Sequence, residues 1–144
     1  MGIPCSRTWR ASIRPSKQQT TATQPPQAII DFFDAINAED WDKLASLWVE
    51  DAELNVVAAR PRRGRHDVIA FYPKALAPYP KHHDDPYRIS VAGDVVTVEI
   101  KFTGEMADGR PVEFLAVDII DMRDGKLWKV NNWFDIDHVR RQTS

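Results

Sequence analysis

The chain holds one cysteine, Cys5, in 144 residues, so no internal disulfide and no multi-thiolate metal site can form. A lone thiol fits a reducing compartment, and the expected location is the cytoplasm. Hydrophobic runs are short: none approaches the roughly 18 apolar residues that a membrane-spanning helix requires, so no membrane partner is expected. Charge of one sign is also missing, because 19 basic against 21 acidic side chains leave −2 overall. So balanced a chain exerts no long-range pull on a phosphate backbone, which excludes nucleic acid as an expected partner. Acids are absent altogether from residues 1–27, where Arg7, Arg10, Arg14 and Lys17 carry +4; set against −2 for the whole chain, this leaves −6 on the rest. That stretch has no periodic apolar face and closes on Gln24-Pro25-Pro26-Gln27, the composition of a disordered tail. Its basic, acid-free character also fits a transit peptide, and MGIPCS fits the loose N-myristoylation pattern.

What is present is enough for one domain. Apolar residues make up 43% of the chain, with five Trp and six Phe. Ile29, Phe32, Phe33 and Ile36 recur at helical spacing opposite Asp31 and Asp34, which predicts an amphipathic helix. Asp40 is placed to cap a second helix whose stripe is Trp41, Leu44, Leu47 and Trp48. ELNVVAA (53–59) has the β-branched content of a strand, PRRGR that of a turn, and HDVIAFYPKALAPY that of a short helix interrupted by Pro73. Beyond it the period changes to two. YRISV, VVTVEIKFTG, PVEFLAVDIIDM and KLWKVNNWFD are separated by Ala92-Gly93-Asp94, Asp108-Gly109 and Asp124-Gly125, which are hairpin signals. Helices first and a curled antiparallel sheet afterwards predict an α+β fold with a cavity between the layers.

Alternation then sorts side chains by face. Val96, Val98, Ile100 and Phe102 are expected inside, as are Phe114, Ala116, Asp118 and Ile120, because Glu113 and Asp121 mark the opposite face as the outer one. On the last strand Trp128, Val130, Asn132 and Phe134 are expected inside, since Lys129 must reach water. Parity from Tyr87, Ile89 and Val91 carried back through Pro86 selects His83, not His82. Asp118 is the residue that demands a reason, because burying an ionisable carboxyl is costly. A desolvated carboxyl has a raised pKa and exchanges protons near neutral pH, which makes Asp118 the candidate catalytic group and His83 its candidate partner. Asn132 and Asn55 are candidates to orient a substrate carbonyl; Phe32, Trp48, Tyr72, Phe102 and Phe134 are candidate walls. No spaced set of His or carboxylates suggests a metal, and no cofactor is expected. On the outer face, Leu115, Val117 and Ile119 are too apolar for open water and predict a two-fold homodimer.

Three stretches, NAEDWDKLASLWVEDAEL, GRHDVIAFY and VDIIDMRDGKLWKVNNWFD, give the chain over residues 28–138 a resemblance to the nuclear transport factor two-like superfamily. That superfamily includes ketosteroid isomerase, scytalone dehydratase, limonene epoxide hydrolase and the SnoaL-like polyketide cyclases. The resemblance implies a cone-shaped curved sheet packed on N-terminal helices, with residues 139–144 as a C-terminal tail. It implies a pocket position for Asp118, whose counterpart in ketosteroid isomerase stays protonated to donate a hydrogen bond to the developing enolate. Where that enzyme has its oxyanion Tyr this chain has Phe32, and the proton-abstracting Asp falls on Asn55 or Val56. The implied activity is therefore a cofactor-independent cyclase, dehydratase or isomerase of SnoaL-like kind, acting on a hydrophobic polyketide-, terpenoid- or steroid-like molecule. A non-catalytic domain that binds a small ligand or associates with protein is the alternative.

Overall fold

The computed structural model describes residues 24–144; the N-terminal signals noted above lie outside them. Helix α1 (Gln27–Ala38) buries Ile29, Phe32, Phe33, Ala35 and Ile36, the stripe its sequence period announces. It ends at Glu39 in a left-handed conformation, φ 53°. Helix α2 (Trp41–Ser46) is capped by Asp40, whose side chain accepts from Lys43 N at 3.1 Å. It is shorter than its apolar stripe suggests. Trp48, expected on that helix, instead opens strand β1 (Trp48–Val56), with Leu47 O accepting from Leu127 N at 2.9 Å to begin the pairing with the last strand. A two-residue strand β2 (Arg62–Arg63) precedes helix α3 (Arg65–Leu76). That helix runs through Pro73, because Val68, Tyr72 and Leu76, spaced by four, are buried together across the proline.

Strands β3 (Lys81–Ala92), β4 (Val95–Glu105), β5 (Pro111–Arg123) and β6 (Lys126–Phe134) form the expected meander. The six strands lie in the order β2-β1-β6-β5-β4-β3, with β1 parallel to β6 and every other pair antiparallel. The result is an α+β fold in which the N-terminal helices pack on a mixed, open, curved sheet. Among the described residues no helix is long and apolar enough to cross a membrane.

Two bulges redirect side chains that simple alternation misplaces. On the edge strand β3 the pairing skips Tyr87, from Pro86↔Ile100 to Arg88↔Glu99, and Tyr87 is exposed. Proline lacks an N–H for the ladder and is tolerated at edges and bulges, which locates the irregularity. On β6 the pairing skips Trp128, so Leu127 turns inward and is fully buried while Trp128 turns out beneath the Arg123 guanidinium, 4.6 Å from its ring centre. Trp128 is thus not an inner residue. At the chain's end, Ile136–Thr143 form helix α4, capped by Asp135, where a tail was expected. Gln142 clasps β5 through both of its side-chain functions, accepting from Glu113 N and donating to Glu113 O at 2.9 Å each.

Inner and outer faces of β5 predict opposite tolerance. Ile120 is fully buried between the sheet and the helices, whereas the Glu113 side chain is 62% exposed. Ile120→Ala should cost about 2–5 kcal/mol, read as a lowered urea midpoint, and Glu113→Ser should stay within about 0.5 kcal/mol.

Candidate active site

Where the helices and the concave side of the sheet diverge, they enclose a cavity of about 210 Å³. Its walls are mostly apolar. Phe102 stacks on Phe114 with centroids 4.7 Å apart, Phe114 meets Phe134 at 5.2 Å, and Tyr79 meets Phe102 edge-on at 5.1 Å. Helix α1 contributes Phe32, α3 contributes Tyr72, and α4 contributes Val139.

Asp118 points into this space from the middle of β5 and is 5% exposed. It stands opposite Asn132 in the β5–β6 ladder, and Asn132 Nδ2 donates to Asp118 Oδ1 at 2.6 Å. Burial pushes its pKa up to about 6, against the downward pull of that donated hydrogen bond. Among the described residues no lysine or arginine lines the cavity, and none of them neutralises it.

A second acid faces the same space. The bulge at Tyr87 reverses the parity of the first half of β3, so Asp84 lines the cavity, opposite Phe102, while His83 is exposed beside Thr103. His83 is therefore not a cavity residue. Asp84 is fixed through its backbone: Asn37, in the last turn of α1, accepts from Asp84 N at 2.8 Å and donates to Asp84 O at 2.9 Å. Its carboxylate has no hydrogen-bond partner among the described residues. Burial first and the nearby Asp118 second raise its pKa to about 6, against the opposing pull of His82 and His83. His82 shares the inward face; its side chain is 5% exposed, its Nε2 lies 3.2 Å from Glu39 Oε1, and its Nδ1 is buried without a partner.

Tyr72 completes the polar set. Burial, then Asp118, then Asp84, hold its pKa well above the ordinary phenol value, so it remains a neutral O–H donor. Its ring packs edge-on against Phe32, with centroids 6.1 Å apart.

The cavity thus brings together Asp118, Asn132, Phe32, Tyr72, Phe102 and Phe134 of the candidates named from sequence. It excludes three. His83 is turned out by the bulge; Trp48 is fully buried but packs beneath the cavity against Phe32, at 6.0 Å, without lining it. Asn55 lies on the opposite face of β1, where its Nδ2 donates to Asn131 Oδ1 at 2.9 Å across the parallel β1–β6 pair. Asp84 is the residue that alternation missed. Pro86, an interior proline in a strand-like stretch, was the available sign of a change in parity. Among the described residues no three His, Cys, Asp or Glu side chains come close enough to hold a metal ion.

Comparison with known proteins agrees with this architecture. The profile of the SnoaL-like domain matches residues 29–130. No curated protein matches the sequence. Among solved structures, a protein from Jannaschia sp. CCS1 described as a SnoaL-like polyketide cyclase superposes with a TM-score of 0.78 at 18% identity, over 86% of this chain and 97% of that one. A protein of ketosteroid isomerase-like fold from Catenulispora acidiphila, in complex with trimethylamine, gives 0.75 at 17% identity, over 83% of this chain and 94% of that one. An epoxide hydrolase of M. tuberculosis, similar to limonene epoxide hydrolase, gives 0.70 at 18% identity, over 82% and 87%. With the profile covering most of its length and the helices, sheet and cavity arranged as described, the chain belongs to the SnoaL-like domain family.

Proposed function

We propose that the protein is an acid–base enzyme of cyclase, dehydratase or isomerase type that acts on a hydrophobic, carbonyl-bearing small molecule of polyketide- or terpenoid-like character. The observation that carries this reading is Asp118: a carboxyl buried in an apolar cavity, with no counter-cation and a pKa near 6. Above that pKa it is a carboxylate able to take a proton from the carbon beside a carbonyl, a first step common to these reaction types. Electron density released from the broken C–H bond collects on the carbonyl oxygen. Tyr72, held neutral, is the available O–H donor to that oxyanion and fills the part left open by Phe32. Asn132 is a positioning residue: one N–H of its amide is committed to Asp118, fixing which oxygen remains free.

A second copy of the chain is the proposed partner. Leu115 and Trp133 are 60% and 56% exposed on the convex face, with Val117 and Ile119 half-buried between them. Burying this patch in a two-fold contact removes it from water. Leu115→Glu with Trp133→Glu should convert a dimer to a monomer in light scattering. Equal masses for both proteins would dismiss the interface.

The chemistry is checked by α-carbon deuterium exchange of cyclic and aryl ketones in D2O, followed by NMR. Asp118→Asn should slow exchange by about 10²–10⁴-fold and Tyr72→Phe by about 10–10³-fold. The wild-type rate should rise with pH through about 6 as Asp118 ionises. Exchange by Asp118→Asn at the wild-type rate would remove the assignment.

Stability gives an independent reading. The folded pKa of Asp118 lies above its ordinary value of 3.8, so between these values the folded state binds more protons than the unfolded state and loses stability as pH rises. The penalty is complete above about pH 6. Asp118→Asn, which keeps an oxygen for Asn132, should therefore be more stable than the wild type at pH 8 by on the order of 3 kcal/mol, with the gap closing toward pH 4. A gap that is the same at both pH values would show that Asp118 is not desolvated.

A further inference from the structure

Two acids share the cavity, and one is already engaged. Asp118 accepts from Asn132, while the carboxylate of Asp84 faces the same space unpartnered. Asn37 fixes the Asp84 backbone with two hydrogen bonds, so the carboxylate is presented by a rigid strand and cannot retreat far into solvent. Around it stand aromatic faces: the stacked Phe102 and Phe114, then Phe134 and Tyr79. Among the described residues the lining holds no lysine or arginine, so its two carboxylates give the space a negative potential. Ring faces carry the same sign and attract cations. A divalent metal does not suit the space, because two carboxylates on apolar walls fall short of the six or more oxygens a hard cation takes. A single charge on an apolar body satisfies every one of these features.

We propose that the ligand of this cavity is a small hydrophobic amine that also carries the reacting carbonyl, bound as its ammonium ion, the N–H groups donating to Asp84 and the hydrocarbon body lying against the phenylalanine wall. The proposal rests on the acid–base reading above and names the substrate class for it. Asp84 anchors the charge and Asp118 faces the reacting carbon. Anionic molecules are repelled, and neutral ones of equal shape lose the ion pair.

Titration calorimetry with benzylamine, benzyl alcohol and benzoate, alike in shape and differing in charge, tests it at pH 7.5 on the whole protein. Benzylamine should bind at least tenfold more tightly than benzyl alcohol, and benzoate should not bind. Asp84→Asn should abolish the preference for the amine over the alcohol, and circular dichroism of that variant should match the wild type. Lowering the pH to 5 should weaken benzylamine alone. The groups facing Asp84 set that direction: Asp118 from β5 is neutralised together with Asp84, His82 and His83 on β3 pull against the rise in the Asp84 pKa without cancelling it, and Tyr72 from α3 stays neutral. Equal binding of amine and alcohol, a preference that survives Asp84→Asn, or no binding by any of the three at millimolar concentration would each overturn the proposal. Failure of the acid–base reading looks different: amine binding would persist with its Asp84 dependence while Asp118→Asn exchanges deuterium like the wild type.

Discussion

Withholding water and counter-charge from Asp118 is the constraint on which the rest of the structure turns. Its position on β5 is flanked by Val117 and Ile119, and it faces Asn132 in place of a cation. An amide can orient a carboxylate without neutralising it, and so the proton affinity of the group is set by burial. The cone supports this state from all sides: the meander supplies a concave wall, α1 and α3 supply the roof, and α4 closes the end. Filling the same volume with leucine would give a more stable protein with nothing to react. Keeping an acid there costs stability, in the way that active sites commonly do.

Legibility from sequence followed the regularity of the strands. Val96 to Phe102 and Phe114 to Ile120 alternate without interruption, and their inner face was read correctly down to Asp118. Asn132 and Phe134 followed because they pair directly with Asp118 and Ala116. The α1 stripe was legible for the same reason at period 3.6, and it placed Phe32. The errors lie where a single extra residue enters a ladder. Tyr87 and Trp128 each reverse parity, and carrying alternation past them exchanged His82 for His83 and Leu127 for Trp128, and left Asp84 unnoticed. Trp48 failed for another reason: Leu44, Leu47 and Trp48 fit a helix as well as a helix end and a strand start, and the pull of β6 on Leu47 decides between them.

Asn55 shows a different limit. Its partner Asn131 is 76 residues away and lies on the outer face, in the parallel junction of β1 and β6. Nothing local announces that junction, because a parallel pair between the first and last long strands is a property of the assembled sheet. The meander could be read from its hairpins; the mixed character of the sheet could not.

The clasp between Gln142 and Glu113 has a practical side. One side-chain carboxamide takes the place of a missing strand residue beside β5 and holds the last helix against the sheet, and Val139 on that helix reaches the cavity wall one turn earlier. A peptide joined after Ser144 would tug on this clasp and, through Val139, on the cavity wall, whereas a label on the loop around Asp124 would hang from the other end of β5.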